Sequence, residues 1–452
     1  MRIIIIGCGN VGFTLAEILS SEKHDVTIID DDEDALLSAA ENLDVMYLKG
    51  SGASLRTLSQ AGTQHAGVVI AVTRNDEVNM LCCVTAKKLG AKRTVARIRD
   101  PEYMQDFNKL KRMLDIDLII NPERSAAGEI LRLLRFPAAV EIDTFYRGRV
   151  ELIGFRIVPD DMLDGLSLIE FRKKLSAQVL LSVIERDGDI YIPRGDFVLK
   201  DGDLVYAAGK YEDITKFFRA IRRTTNMAAS VMILGGSRTA HYLAQMASSV
   251  KIKSVIIEID EKKCIRLAED IPNVTVINGD GTDQELLESE NIRGMDAFVA
   301  LGDLDEENLI ISLFALSCGV RKVVTKINRR DYAPLVNSLG LESVILLSEI
   351  TATHILHFVR GLIGSRGGAV VALHRLLDGK VEALEFVVKN DMRHLGNKLK
   401  NLPIKRGVVV AVISRGGKSI IPTGDDIFIE GDNVVVVTMH KGFDELNDIF
   451  ER

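Results

Sequence analysis

The chain holds no tryptophan, nine prolines and five cysteines in 452 residues, and aromatic side chains make up only 5% of it. So few aromatics leave little for stacking on bases. The formal net charge of −7 also runs against the clustered Lys and Arg on which general nucleic-acid affinity rests, so no nucleic-acid partner is expected. Cys8, Cys82, Cys83, Cys264 and Cys318 show neither a C-x-x-C spacing nor a histidine at zinc-finger distance. They are expected to be free, buried thiols in a reducing cytosol. No apolar run approaches the ~18 residues that span a bilayer, and Met1-Arg2-Ile3 runs directly into Ile6 and a glycine loop, unlike a signal peptide. The expectation is a cytoplasmic protein that acts at a membrane only through a partner that spans it.

What is present is a lean α/β composition: 36 glycines, 47% apolar and 27% charged residues, enough for a sizeable core and for two to four domains at ~100–200 residues each. The organisation is a duplication. Ile3–Gly12 falls on Val231–Ala240 at a shift of 228, and Ile28-Ile29-Asp30 falls on Ile256-Ile257-Glu258 at the same shift. Ala71–Asn79 falls on Ala300–Asn308, and Ile192-Pro-Arg-Gly-Asp196 falls on Ile421-Pro-Thr-Gly-Asp425, both at 229.

Within each copy, short apolar runs alternate with amphipathic helical stretches over the first ~120 residues. The runs are Arg2–Ile6, Val26–Asp30, Val45–Leu48, Val68–Val72, Thr94–Ile98 and Leu118–Ile120. Helices are expected at Val11–Ser20, Glu77–Leu89 and Pro101–Leu114. Runs apolar on both faces, separated by helices, describe a doubly wound parallel sheet of Rossmann type. After a helix over Arg124–Arg135, stopped by Pro137, the pattern from about Val140 to Tyr211 turns to alternating strands with Asp-Gly turns, a small α+β domain. The expected domains are therefore 1–123, 140–225, 229–348 and 368–452, with Thr224-Thr225-Asn226 as a polar link. The basic clusters Lys109–Arg112 and Arg219–Arg223 read as solvated faces.

Gly7-x-Gly9-x-x-Gly12 follows a strand, opens a helix, and is followed by an acid, Asp30, at the end of the next strand. Gly7 permits the tight turn, Gly9 lets a pyrophosphate approach the backbone and Gly12 lets helix pack on strand. The N–H groups of Cys8, Asn10 and Val11 at the helix start would then meet the phosphates. Asp30 would accept from ribose hydroxyls and repel a 2′-phosphate, which disfavours NADP but does not separate NAD from ATP or ADP. Ser51 and Gly52, after the third strand, are placed to flank the adenine. Thr73 and Arg74 follow the fourth strand, and Arg97 ends the fifth. The two arginines read equally as phosphate ligands or as partners in surface salt bridges.

The second copy keeps Gly235 and Gly236 but puts Ser237 at the close-approach position and Ala240 at the packing position. Glu258 retains an acid for the ribose, Asp280 stands at the adenine position, Lys326 replaces Arg97, and Arg238 and Thr239 open the helix. Ser237 should crowd a pyrophosphate, with Arg238 available to compensate, so this site is expected to be retained but altered. Catalytic equipment is not in view: no Tyr-x-x-x-Lys, nucleophile elbow, P-loop or H-E-x-x-H occurs. His24, His65, His241, His374, His394 and His440 read as surface or loop residues. His354 and His357 share a helix face but lack a third ligand, so no metal is expected. An NAD-dependent oxidoreductase rests on the fingerprint alone. A nucleotide sensor for another cation transporter is a further alternative.

The tandem arrangement resembles the RCK, or KTN, family of regulators of bacterial Trk-type potassium uptake. The resemblance rests on Gly7–Gly12, Asp30, the elements at Gly50 and Gly279, Asp76-Glu77-x-Asn79, Ile119-Ile-Asn-Pro-Glu123 and Arg132-x-x-Arg-Phe-Pro137. It implies a non-enzymatic subunit in a homo-oligomeric, tetrameric ring, peripheral on the inner face of the membrane beneath a TrkH/TrkG-like potassium transporter. It also implies NAD(H) or ATP/ADP as ligands in both clefts, and a Glu123–Phe136 helix that crosses to a partner subunit or packs within one chain.

Overall fold

In a computed structural model, residues 1–451 are described except 147, 160, 176–177, 224–226, 333–334, 337–338, 365–369 and 378; the Thr-Thr-Asn link therefore lies outside the described residues. The first sheet comprises β1 (Arg2–Ile6), β2 (Asp25–Asp30), β3 (Met46–Lys49), β4 (Val68–Ala71), β5 (Thr94–Arg97) and β6 (Leu118–Ile120) in the order β3-β2-β1-β4-β5-β6. All pairings are parallel. Ile3 to Ile6 are buried on both faces, as a strand sandwiched between helix layers requires. The helices are α1 (Asn10–Ser21), α2 (Glu33–Asn42), α3 (Leu55–Gln60), α4 (Asp76–Lys88), α5 (Pro101–Gln105), α6 (Phe107–Met113) and α7 (Pro122–Arg135). The single helix expected at Pro101–Leu114 is two, because Asp106 leaves helical geometry at φ −107, ψ 28 and its carbonyl starts the next helix by accepting from Leu110.

Next comes an antiparallel sheet: β7 (Glu141–Phe145), β8 (Val150–Arg156), β9 (Leu180–Arg186), β10 (Asp189–Tyr191) and β11 (Leu204–Gly209), in the order β10-β9-β11-β8-β7. It carries α8 (Leu168–Lys174) and α9 (Tyr211–Ala220). Asp187 and Gly188, both at positive φ, close the β9–β10 hairpin, the conformation an Asp-Gly pair favours.

The second copy repeats the plan. Its parallel sheet is β12 (Ser230–Leu234), β13 (Lys253–Glu258), β14 (Val274–Asn278), β15 (Ala297–Ala300), β16 (Lys322–Ile327) and β17 (Ser343–Leu346), ordered β14-β13-β12-β15-β16-β17. Its helices include α10 (Arg238–Ser249), α11 (Glu261–Asp270), α12 (Gln284–Ser289), α13 (Asp305–Ser317) and α14 (Leu347–Gly364). The closing sheet is β18 (Ala372–Leu376), β19 (Val381–Val387), β20 (Val408–Arg415), β21 (Lys418–Ile420) and β22 (Asn433–Thr438). The repeated Gly-Asp signals serve one structural purpose: buried Asp203 takes a forked pair of hydrogen bonds from Arg186 at 2.6 and 2.8 Å, and Asp432 takes the same pair from Arg415 at 2.9 and 2.8 Å.

The two copies exchange helices. The apolar stripe of α7 (Ala126, Ala127, Ile130, Leu133, Leu134) packs against α10 of the second copy, within the core that also holds Tyr242, Leu243 and Ala247. Reciprocally, Ala352, Ile355, Leu356 and Val359 of α14 join Val11, Leu15 and Leu19 of the first copy. Each fully buried Leu or Ile contributes about 1.5–3 kcal/mol, so both stripes hold the halves firmly. The Glu123–Phe136 segment is thus seated within its own chain. The small sheets share a core as well, Phe145, Leu152 and Tyr206 meeting Leu376, Ala383 and Val435.

Two readings of surface residues are overturned at these junctions. His374 is not a loop residue: it lies in β18, its Nδ1 2.7 Å from Asp143 and its ring 4.8 Å from that of His357. Arg223 is not a solvated charge: its side chain is 13% exposed, bound to Asp161 and laid over the Phe155 ring. Both were drawn inward by partners distant in sequence. The five cysteines are buried and free, as expected, and burial pushes the Cys82 and Cys83 thiols far above their ordinary range. Among the described residues no group of three or more His, Cys, Asp or Glu could hold a metal ion, and no helix is long and apolar enough to cross a membrane.

Candidate nucleotide clefts

The first loop meets the geometric demands placed on each glycine. Gly7 turns at φ +106, and a Cβ there would stand 3.0 Å from the Thr73 nitrogen at the end of β4. Gly12 faces the Gly7 carbonyl so closely that a Cβ would lie 1.8 Å from the oxygen, which is how α1 comes to rest on β1. Gly9, the N-cap of α1, makes no side-chain cap, and a Cβ added to it would meet nothing within 4 Å. The space beside Gly9 is open and no side chain caps the first turn of α1, an arrangement in which an anion is favoured, although the Cys8 N–H expected to meet a phosphate is already taken by Asp30.

Asp30 ends β2 and closes the loop from the other side. Its Oδ2 accepts from the Cys8 N–H at 2.5 Å and its Oδ1 from Asp32 at 3.0 Å. Burial works to raise this carboxyl; the Asp32 and Cys8 N–H groups, with Asp31, outweigh it and hold the group below its ordinary value. Asp30 is therefore a carboxylate at neutral pH, an acceptor for ribose hydroxyls. Ser51 is exposed beside the cleft, while Gly52 is pressed on β1 so that a Cβ would come 2.1 Å from Ile6.

The far wall is tied by Asn79 of α4. Its Oδ1 accepts from the Thr73 N–H at 2.9 Å, and its Nδ2 donates to the Arg97 carbonyl at 2.8 Å. Arg97 is no surface salt bridge. Its Nη2 donates to the Thr73 carbonyl at 2.9 Å, its Nε is buried without a partner, and burial, followed by the neighbouring Arg99 charge, lowers its pKa from the ordinary value. A half-buried guanidinium with one N–H left unpartnered is suited to a phosphate. Arg74 is exposed and forms no ion pair among the described residues.

The second cleft copies this frame with altered chemistry. Gly235 turns at φ +88. The Gly236 N–H donates to Glu258 Oε2 at 2.6 Å, and Asp260 to Oε1 at 2.8 Å, the same closure that Asp30 makes. Asn308 repeats Asn79, accepting from the Gly302 N–H at 2.9 Å and donating to the Lys326 carbonyl at 3.0 Å. The difference is at the helix start. Ser237 caps α10 with its own hydroxyl, which accepts from the Ala240 N–H at 3.4 Å, so one donor that is free in the first loop is occupied here. Thr239 is buried behind it. Arg238 turns toward Asp100 of the first copy, 3.8 Å away, instead of lying over its own loop. Asp280 is exposed and bonds to Thr282, whose N–H and hydroxyl lower its pKa. Lys326 is 7% exposed; burial lowers its pKa, opposed by Asp303, Asp305 and, from the first copy, Glu123.

The expected residues thus lie at the C-terminal ends of the two parallel sheets, one set per copy, except that Arg238 turns away to Asp100 of the first copy and Thr239 is buried. Sequence reasoning missed Asn79 and Asn308 as wall ties and the Arg99–Glu123 pair at 2.5 Å between them. The recurrence of Asn at a shift of 229 was the available signal.

These features define a doubled protein of the Rossmann nucleotide-binding fold in which each parallel-sheet domain is followed by a small antiparallel one. The chain belongs to the TrkA family: the TrkA-N domain model matches residues 3–122 and 231–347, and the TrkA-C domain model matches 152–222 and 383–451. It is 34% identical over 459 residues to Trk system potassium uptake protein TrkA homolog 1 of Methanosarcina mazei, with 100% of both chains covered. It is 31% identical over 460 residues to Trk system potassium uptake protein TrkA of Haemophilus influenzae, covering 100% of this chain and 99% of that one. Among solved structures, the GsuK RCK domain matches with a TM-score of 0.62 at 16% identity, over 96% of this chain and 92% of that chain. The GsuK channel bound to NAD matches at 0.63 and 16%, over 97% and 76%; at this identity the likeness concerns the fold.

Proposed function

We propose that this chain is the nucleotide-sensing regulatory subunit of a Trk-type potassium uptake system, working beneath a membrane potassium transporter of the TrkH/TrkG kind as a homotetrameric ring on the cytoplasmic face. The observation that carries this reading is the exchange of α7 and α14 between two copies that each carry a nucleotide-type loop, with Arg238 of the second loop 3.8 Å from Asp100 of the first copy. Ligand bound to one half bears on the position of the other. Relatives named for Trk potassium uptake and a solved neighbour bound to NAD support it.

The mechanism is linkage. A nucleotide that binds one arrangement of the two halves better than another shifts the population by that difference in affinity. A coupling of ~1–3 kcal/mol changes transporter opening about 5–150-fold. In the first cleft, Gly7–Gly12 take the phosphates, Asp30 the ribose, Ser51 and Gly52 the adenine edge, and Thr73, Arg74 and Arg97 the far phosphates. In the second, Gly235, Gly236, Ser237 and Thr239 form a more crowded cradle with Glu258, Asp280 and Lys326 around it. Ligands are NAD(H), ATP or ADP; those with and without a γ-phosphate differ in charge beside Arg74 and Arg97.

Calorimetric titration with ATP, ADP and NADH, repeated on Asp30→Ala and Glu258→Ala, tests the clefts; potassium flux with the co-expressed transporter tests the coupling. Two binding events, each lost with its own acid, and flux that differs between ATP and ADP are expected. Identical flux with both nucleotides would overturn the linkage.

A further inference from the structure

A cavity of about 850 Å³ lies away from both glycine loops, where the first copy meets the second. Its walls are α6, β6 and α7 of the first copy with Met246 of α10 and His354 of α14 from the second. The volume falls within the range of pockets that hold small ligands.

Its charge is one-sided. Lys109 and Arg112 project from α6, Arg124 and Arg132 from α7, and Asp106 is the one carboxylate on the lining. Among the described residues, Lys109, Arg112 and Arg124 form no ion pair, in a chain whose net charge is −7. Arg132 has a buried Nε with no hydrogen-bond partner, and its nearest carboxylate, Glu129, stands off at 3.7 Å. Desolvation pushes the Glu129 carboxyl up to about 7, so even this neighbour compensates Arg132 only in part at neutral pH. Lys109, Arg112 and Arg124 are exposed at the rim and Arg132 is half-buried, so solvent screens much of their mutual repulsion, and a polyanion that meets several of them at once gains what single counterions do not.

The shape is maintained by a residue with no other evident reason to be there. Gly128 sits in the middle of α7, where glycine costs about 1 kcal/mol relative to alanine. A Cβ at this position would approach only Arg132 Nη1, at 3.9 Å, so no neighbouring backbone demands the glycine. What a larger side chain would occupy is the cavity. Leu118, Ile119, Ile120, Met104 and Phe107 supply an apolar floor beneath the cationic rim.

We propose that this cavity is a second ligand site, for a phosphate-bearing organic anion, distinct from the two nucleotide clefts. Because its walls come from both copies, its occupant bridges them and adjusts the same junction that the exchanged helices form. The site stands on its own residues and does not depend on which nucleotide the loops bind.

The test uses the full-length protein saturated with NADH, titrated calorimetrically with inorganic tripolyphosphate. One further binding event is expected. Arg124→Gln/Arg132→Gln should weaken it about tenfold or more, since each charge-assisted hydrogen bond accounts for about that much. Gly128→Leu, which keeps every charge and fills the space, should abolish it. Unchanged NADH binding by the arginine and Gly128 variants shows that they are folded. Sedimentation with phosphatidylglycerol vesicles separates the two sources of such a ligand. Tripolyphosphate binding without vesicle binding assigns a diffusible metabolite, and vesicle binding lost in the same variants assigns a lipid headgroup. Absence of both, or binding indifferent to Gly128→Leu and to the arginine pair, would overturn the site.

Discussion

The Asn121 side chain donates to the Tyr242 hydroxyl at 3.1 Å, a buried hydrogen bond between the cap of α7 in one copy and the first helix of the other. Asn121 also accepts from the Arg124 N–H at 2.8 Å and donates to the Arg99 carbonyl at 3.1 Å. One amide thus starts the crossing helix, holds the end of β5 and anchors the second half.

Tyr242→Phe removes only the link between halves, since Asn121 keeps its other partners. The expected loss is about 1 kcal/mol of stability, with faster hydrogen exchange confined to the facing turns of α7 and α10. An unchanged Tm and exchange pattern would show that the bond contributes nothing.

Gly9 and Gly12 should separate binding from folding. Gly9→Ala meets open space, so its stability should stay within about 0.5 kcal/mol of the parent while nucleotide affinity at the first cleft falls. Gly12→Ala places a methyl against the Gly7 carbonyl, and overpacking of this kind costs about 1–3 kcal/mol. Denaturant unfolding and calorimetric titration of both variants check the contrast.

Ser237→Gly should strengthen the second cleft. Losing the cap costs about 0.3 kcal/mol, and the Ala240 N–H and the loop backbone become available to a phosphate. A rise in the weaker of two affinities is expected on titration; a fall would mean that the hydroxyl itself is a ligand.

His357 makes the junction of the halves sensitive to acid. Burial, followed by the charges of His374 and Arg360, lowers its pKa from 6.5 to about 3, and its Nε2 is buried without a partner. Below pH 6.5 the unfolded chain takes a proton that the folded chain refuses, so stability falls as pH drops from 6.5 toward 3, by at most about 1.4 kcal/mol per pH unit. His354, Arg360 and the His374–Asp143 pair surround it. His357→Gln should flatten the decline in Tm between pH 6.5 and 4, and an equally steep profile would remove His357 as its source.

Much of the local chemistry was legible. The parallel strands declared themselves by apolar runs, the Asp187-Gly188 hairpin by its turn pair, the first loop by glycine spacing with an acid one strand later, and the second loop by its alignment to the first. The errors fell where the decisive partner is remote. Asp143 draws His374 inward from 231 positions away in the chain, and Asp161 does the same to Arg223. Arg97 was open between phosphate ligand and surface ion pair until its Nε proved to be buried.

By itself, the sequence determined the duplication, the order of sheets and the loop at Gly7–Gly12, because periodicity and turn chemistry act between residues a few positions apart. Only the tertiary structure decided that α7 and α14 cross to the opposite copy, that Arg238 turns to Asp100, and that a cationic cavity opens beside Gly128. Each of these depends on which apolar stripe finds which groove. That choice is made by burial and charge over the whole molecule, and no local spacing records it.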